Sequence, residues 1–435
     1  MTINLRNGSC FSRVAASVLL TLAASANYAQ AVPVEVVAFE GGYTLVRDGK
    51  PYLVRGAGVV GVGLETLAKR GGNSVRTWGI EEAQSTLDEA AKHGLTVSMG
   101  LPVAAERFGF DYDDPESKAE QRENVRAAVL KYKDHPALLA WIIGNELDMS
   151  FTNHRVYDEI NELSRMIHEL DPNHVTTTTI TALDRETVEL VREKAPDLDF
   201  ISIQAYGALA LMPKAIEYLG QGPFMITEWG PLGHWEVGKT RWEAAIEPTS
   251  TEKARHFLLQ YRDLIMPYLG PGLGSYAFLW GNKQERTQTW FSLFTESGAT
   301  TGAVDALELV WTGRVPVNQA PVLESISLAR RPASDSIRLT VGKRYVAKVV
   351  AKDTENDDLT YHWSVKPESD ATTIGGDLEA SIADIPNTFD GASNKATVRL
   401  VAPEPGAYRI FVEINDGHGH AAHANIPFMV LGKKR

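Results

Sequence analysis

The sequence predicts an α/β fold, a closed (β/α)8 barrel, followed by a smaller all-β sandwich. Three observations carry this. Short apolar runs alternate with amphipathic segments eight times between Tyr52 and Trp311, the pattern of a parallel barrel closed by its own helices. Several of these runs end abruptly in polar residues, as barrel strands do where they deliver side chains to the mouth. Beyond Arg314 the pattern changes to period-two strands separated by Asp, Asn, Gly and Pro turns.

Taken in order, Arg6 and Arg13 precede the apolar run Val14 to Ala26, and Ala29-Gln30-Ala31 is a small-x-small site. Residues 1–31 therefore read as a secretory signal peptide, with export to a bacterial periplasm or the exterior and no membrane insertion after cleavage. The apolar run is shorter than the roughly 20 residues of a membrane span. The single cysteine, Cys10, leaves with it, so the mature chain is expected to lack disulfides and a cysteine nucleophile. Loss of two Arg and no acid takes the formal charge from -12 to -14. That acidity argues against nucleic acid or an anionic membrane as partner. Nothing in the sequence defines the oligomeric state.

Asp48-Gly49-Lys50, between Tyr43–Arg47 and Pro51–Arg55, is a hairpin signal. Barrel strands are expected near Tyr52–Arg55, Ser74–Arg76, Thr96–Gly100, Leu138–Ile143, Val175–Thr179, Phe200–Ala205, Phe224–Thr227 and Tyr276–Leu279, with helices between them. The barrel is expected over 32–314, a proline-bearing linker over 315–322 and the sandwich over 323–435.

Two strands end in acids: WIIGNELD (Trp141–Asp148) carries Asn145 and Glu146, and FMITEWG (Phe224–Gly230) carries Glu228. The glutamates stand 82 positions and three strands apart, so both reach one mouth. Cleavage of a glycosidic bond with retention needs one protonated carboxyl and one ionised carboxylate about 5 to 5.5 Å apart, against about 6.5 to 9.5 Å for inversion. An isolated acid is ordinarily a solvated or salt-bridged one. Eight of the nine tryptophans precede the linker, several of them near strand ends where indoles can stack on sugar rings.

Asn-Glu closing strand four and Glu closing strand seven resemble the clan A retaining β-glycoside hydrolases, including families 2 and 5, whose fold is the TIM barrel. The resemblance covers roughly residues 40–312. It implies Glu146 as acid/base, Glu228 as nucleophile and Asn145 on the sugar 2-hydroxyl. It also implies Arg76 (NSVRTWG) and Tyr206 (ISIQAY) beside the nucleophile, and Trp280 (YAFLW) as the floor of the first subsite. Trp78, Trp229, Trp235 and Gln204 join the substrate-binding candidates. Where family 5 members carry histidines, this chain has Leu101-Pro102 and Gln204, which favours a family 2-like member. The C-terminal sandwich resembles immunoglobulin-like or PKD-like modules.

Function is thus expected to be retaining hydrolysis of an oligo- or polysaccharide, of β-glucan type first, with no metal or organic cofactor. Transglycosylation on the same substrates and a noncatalytic carbohydrate-binding or surface role are the alternatives. Three other motifs compete weakly. Gly56–Gly61 (GAGVVG) matches a dinucleotide fingerprint but reads as a tight loop under the active site. Asp353 to Asp358 is an acidic turn with calcium-type ligands, and His418, His420 and His423 lack zinc-site spacing.

Overall fold

The computed structural model describes residues 30–61, 63–181, 183–270, 272–373 and 375–433. The signal-peptide reading falls almost wholly outside them. Three short strands come first: β1 (Val34–Phe39), β2 (Gly42–Arg47) and β3 (Lys50–Tyr52), paired antiparallel. Asp48 and Gly49 both take positive φ, so Arg47 pairs with Lys50 across a two-residue turn. This sheet plugs the base of the barrel: Val34 and Leu45 pack with Leu139, Val175, Phe200 and Met225.

The barrel follows as β4 (Val54–Val60), α1 (Leu64–Lys69), β5 (Ser74–Arg76), α2 (Ala83–Lys92), β6 (Thr96–Leu101), α3 (Pro115–Tyr132), β7 (Leu138–Ile143) and α4 (Arg155–Leu170). It continues with β8 (Val175–Ile180), α5 (Arg185–Lys194), β9 (Phe200–Gln204), α6 (Met212–Leu219), β10 (Phe224–Trp229), α7 (Ser250–Gln260), β11 (Gly272–Gly281) and α8 (Gly302–Thr312). The eight strands β4 to β11 close into one parallel barrel in sequence order. The expected fold class is therefore the observed one.

One element differs from its sequence reading. Gly56 to Val60 do not form a loop; they continue the first barrel strand, β4. The strand needs its glycines because a Cβ on Gly56 would stand 2.3 Å from the Tyr276 ring and 2.7 Å from the Ser74 carbonyl. Tyr276 itself fills the barrel centre, its hydroxyl 2.7 Å from Ser74 Oγ and 2.6 Å from Ser98 Oγ. The dinucleotide match is thus a packing pattern.

Several buried polar groups inside the barrel are hydrogen-bonded, as burial favours. In β8 four consecutive threonines are buried. Thr178 donates to the Ile143 carbonyl (2.7 Å), and Thr179 Oγ1 accepts the Glu146 amide (2.8 Å). That second bond ties the end of β7 to its neighbour.

The remaining strands are β12 (Val322–Leu328), β13 (Arg338–Thr340), β14 (Arg344–Lys352), β15 (Thr360–Pro367), β16 (Thr397–Val401), β17 (Gly406–Asn415) and β18 (Ala421–Leu431). They form two sheets, β12-β14-β16 and β13-β18-β17-β15, sharing one apolar core around Trp363, Val349, Leu400 and Phe428. Pairing is antiparallel except between β13 and β18, which run parallel. β13 is too short, at three residues, to leave a readable alternation in the sequence.

This all-β domain is sealed to the barrel. The Thr300 amide donates to the Gly419 carbonyl (2.9 Å), and the Ala421 amide donates to the Thr300 carbonyl (2.8 Å). Between the domains Glu247 accepts from Lys253, Thr287, Thr289 and Asn425, while Arg409 binds Asn425, Glu368 and the Ala245 carbonyl. Burial alone would raise the Glu247 carboxyl, but the cations around it, Lys253 first, hold it down at about 2.

Candidate active site

A cavity of about 670 Å³ opens at the C-terminal ends of the barrel strands, the size of an ordinary ligand site. Both glutamates line it.

Glu228 comes from the tip of β10. Arg76, at the tip of β5, donates from Nη1 to Glu228 Oε1 at 2.7 Å and to the Thr227 carbonyl at 2.9 Å. Trp78, two residues on, donates from Nε1 to the same oxygen at 2.8 Å, and the Tyr206 hydroxyl donates to Oε2 at 2.8 Å. Three donors thus surround the carboxylate, an environment complementary to negative charge. Burial first, then the nearby acids Glu228 and Glu285, push the Tyr206 phenol well above its ordinary range, so it remains a donor.

Arg76 also reaches sideways, from Nη2 to Asn145 Oδ1 at 2.5 Å, and Gln204 Nε2 donates to the same oxygen at 2.8 Å. Two donors fix the amide orientation, because only its oxygen can face them. The Asn145 Nδ2 end is then the one available to a ligand.

Glu146 sits in a different environment. Gly144 takes φ 74° and Glu146 itself φ 51°, a left-handed conformation uncommon for a residue with a side chain. The turn swings the carboxyl back over the mouth. Burial, then the charge of Glu228 and that of Asp148, raises its pKa well above the ordinary carboxyl value; Arg76 and Arg107 oppose this only in part. The two acids therefore occupy contrasting surroundings within one cavity.

Of the other sequence candidates, Trp78, Gln204, Tyr206 and Trp235 line the cavity, with Trp235 half exposed at 49%. Trp280 and Trp229 do not. Trp280 is fully buried against Phe294 and Trp311 on the helix side of β11. The register shifts between Ala277 and Trp280, which breaks the side-chain alternation and sends Phe278 to the mouth in its place. Trp229 follows Glu228 directly, so it faces the opposite side of β10 and packs on Phe257 and Tyr261 of the α7 segment.

The cavity has further walls that the sequence reading did not name: Arg107, His234, Lys283 and Glu285 from barrel loops, and Thr373, Gly375 and Gly376 from the all-β domain. Arg107 and Lys283 follow the third and eighth barrel strands, where charged residues were visible without a motif to mark them. No local signal links Thr373, Gly375 and Gly376 to a mouth built from another domain.

The other clusters lie away from this site. Asp353, Asp357 and Asp416 bring one carboxylate oxygen each within 4.8 Å of one another. Asp353 already accepts the backbone amides of Glu355 and Asp357, and Asp416 those of His418 and His420, as turn-forming aspartates do. His423 is buried against the barrel, apart from exposed His418.

The family profile described as "Glycosyl hydrolases family 2, TIM barrel domain" matches residues 68–234, a stretch that holds Arg76, Asn145, Glu146, Tyr206 and Glu228. Over this stretch the barrel is similar to those of the family 2 glycoside hydrolases. Mannan endo-1,4-beta-mannosidase F of Aspergillus clavatus is 25% identical over 115 residues, covering 23% of this chain and 26% of that protein. Among solved structures, the barrel with its all-β companion is similar to Bacteroides uniformis beta-glucuronidase 2 bound to cyclophellitol-6-carboxylate aziridine. The TM-score is 0.51 at 13% identity, over 90% of this chain and 47% of that one. A beta-D-glucuronidase of Dictyoglomus thermophilum gives 0.51 at 15% identity, over 65% and 54% of the two chains. These structures attest the fold. The chain spans about half the length of the first solved structures it matches and about a quarter of the curated relative.

Proposed function

We propose that the protein is a retaining β-glycoside hydrolase acting on an oligo- or polysaccharide, with β-glucan the first substrate class to try. The observation that carries this reading is the contrast between the two glutamates: one buried beside other acids and pushed up, one encircled by three donors. Such a split between neighbouring carboxyls separates a proton donor from a nucleophile.

In the first step Glu146 gives its proton to the glycosidic oxygen as that bond breaks, and a Glu228 oxygen forms a bond to the anomeric carbon. In the second, Glu146, now a carboxylate, takes a proton from water as the water oxygen attacks the anomeric carbon and releases Glu228. Arg76, Trp78 and Tyr206 aim Glu228; Asn145 Nδ2 is positioned for the 2-hydroxyl. Two carboxylates suffice for this chemistry, so no cofactor enters the proposal. Export, with removal of residues 1–31, and domain limits of 32–314 and 323–435 belong to the same reading.

The test is a panel of β-glucans, β-mannans and aryl β-glycosides, β-glucuronides included, incubated with the wild type and with Glu228→Ala, and product anomers followed by NMR. A β-anomer as first product and at least about a 10²-fold loss in the variant are expected. An α-anomer first, or full activity in Glu228→Ala, would overturn the mechanism.

A further inference from the structure

The barrel does not build its cavity alone. After β15, residues 368–373 and 375–380 lie across the barrel mouth, and Thr373, Gly375 and Gly376 stand in the cavity wall. The segment is held at both ends of its crossing. Asp377 pairs with Arg107, in the loop after the third barrel strand, at 3.0 Å. Gly376 accepts from Lys283 Nζ at 3.0 Å and donates to Glu285 at 3.3 Å, both in the loop after the eighth. Arg286 donates its amide to Glu379 (2.8 Å) and its guanidinium to the Thr373 carbonyl (2.9 Å). The partners are mostly buried; Glu285 and Glu379 side chains are each 4% exposed. At this degree of burial, ion pairs act as fixed supports more than surface pairs do.

The shape of this wall points to its ligand. Gly375 lies so close to Trp235 that a Cβ there would stand 2.6 Å from the indole. The wall thus has no side chain where the indole meets it, and beside it stands a half-exposed flat ring. Trp235 in turn packs edge-on to Tyr206, the residue bonded to Glu228. A low backbone wall beside an indole and next to the nucleophile candidate suits a pyranose ring on the glycone side.

We propose that residues 368–373 and 375–380 of the all-β domain form a specificity element that ends the glycone side of the cleft, so that a chain-end sugar is bound against Thr373, Gly375, Gly376 and Trp235. This inference rests on the glycosidase reading above. The segment is tied to the loops after the third and eighth strands and meets Trp235 from the loop after the seventh, and this is what closes that side.

The experiment compares the wild type with Asp377→Ala/Glu379→Ala, two positions that do not line the cavity, on aryl β-glycosides and β-linked oligosaccharides of graded length. KM for the shortest substrates is expected to rise about tenfold with kcat kept within about twofold, because the wall must then be ordered on binding. Longer products, from cleavage inside the chain, should appear. Gly375→Ala, which displaces Trp235 and leaves the anchors in place, is expected to shift KM in the same direction and serves if the double variant misfolds. The charge swap Arg107→Asp/Asp377→Arg should recover most of the KM lost in Asp377→Arg alone. Unchanged KM and product lengths in folded variants, as judged by melting temperature, would overturn the inference. A wild type inactive on every glycoside would instead overturn the reading of the site, and the inference with it.

Discussion

At the scale of single residues, Glu146 illustrates how a backbone conformation sets a chemistry. Its positive φ places the carboxyl among acids and away from bulk water, and burial there favours the neutral form. The sign of the pH dependence follows: the raised group donates while protonated, so activity falls as pH climbs through its pKa. Glu146→Gln is expected to remove this alkaline limb and to lower kcat by about 10²- to 10⁴-fold, least for substrates whose leaving group needs no proton. Rate profiles between pH 4 and 9 on an unactivated alkyl glycoside, whose leaving group needs the proton, would check it. An unchanged alkaline limb in Glu146→Gln would assign it elsewhere. The polar strand ends, Arg76, Asn145, Glu146, Tyr206 and Glu228, were legible because each interrupts an apolar run. The facing of Trp229 was legible too, had alternation from Glu228 been applied one residue further. Trp280 was not, since a register shift has no signature in composition.

At the scale of elements, seven of the eight barrel strands were readable to within a few residues from runs of Val, Ile, Leu, Phe and Thr. The remaining one, the first barrel strand β4, was placed too early because Gly56, Ala57 and Gly58 have neither bulk nor alternation to mark a strand. What makes them strand residues is the partner, Tyr276, about 220 positions away in sequence. Such a constraint is tertiary and cannot be seen locally. Gly56→Ala should therefore cost about 1 to 3 kcal/mol, the usual range for forcing atoms into a packed core. Denaturant unfolding would measure it, and pairing the change with Tyr276→Phe, which keeps the ring, should not relieve it. A cost below about 0.5 kcal/mol would mean the ring has room to move.

At the scale of the molecule, two domains share a buried polar seam. His423, sealed at that seam and close to Lys253, is held down at about 3 by burial first and then by the lysine. Glu247 beside it is held at about 2. Both folded values lie below the unfolded ones, so between them the unfolded chain binds more protons. Stability from His423 is complete above about pH 6.5 and is lost as pH falls toward 3; that from Glu247 is lost from about pH 4.5 downward. Calorimetry from pH 7 to 4 should show a falling melting temperature, with a slope of up to about 1.4 kcal/mol per pH unit from His423 alone. His423→Leu should flatten the part between pH 6.5 and 4.5. An identical slope in the variant would exclude the seam histidine as its source.

The wall formed by Thr373, Gly375 and Gly376 also bears on how the molecule is made. It is encoded 145 positions after Glu228, downstream of every barrel strand. In a chain synthesised from its N-terminus, domain by domain, the barrel can close around both glutamates while this wall does not yet exist. The cleft in its final shape is finished by the folding of the second domain, so closing the barrel and acquiring selectivity are separate events in the life of one chain.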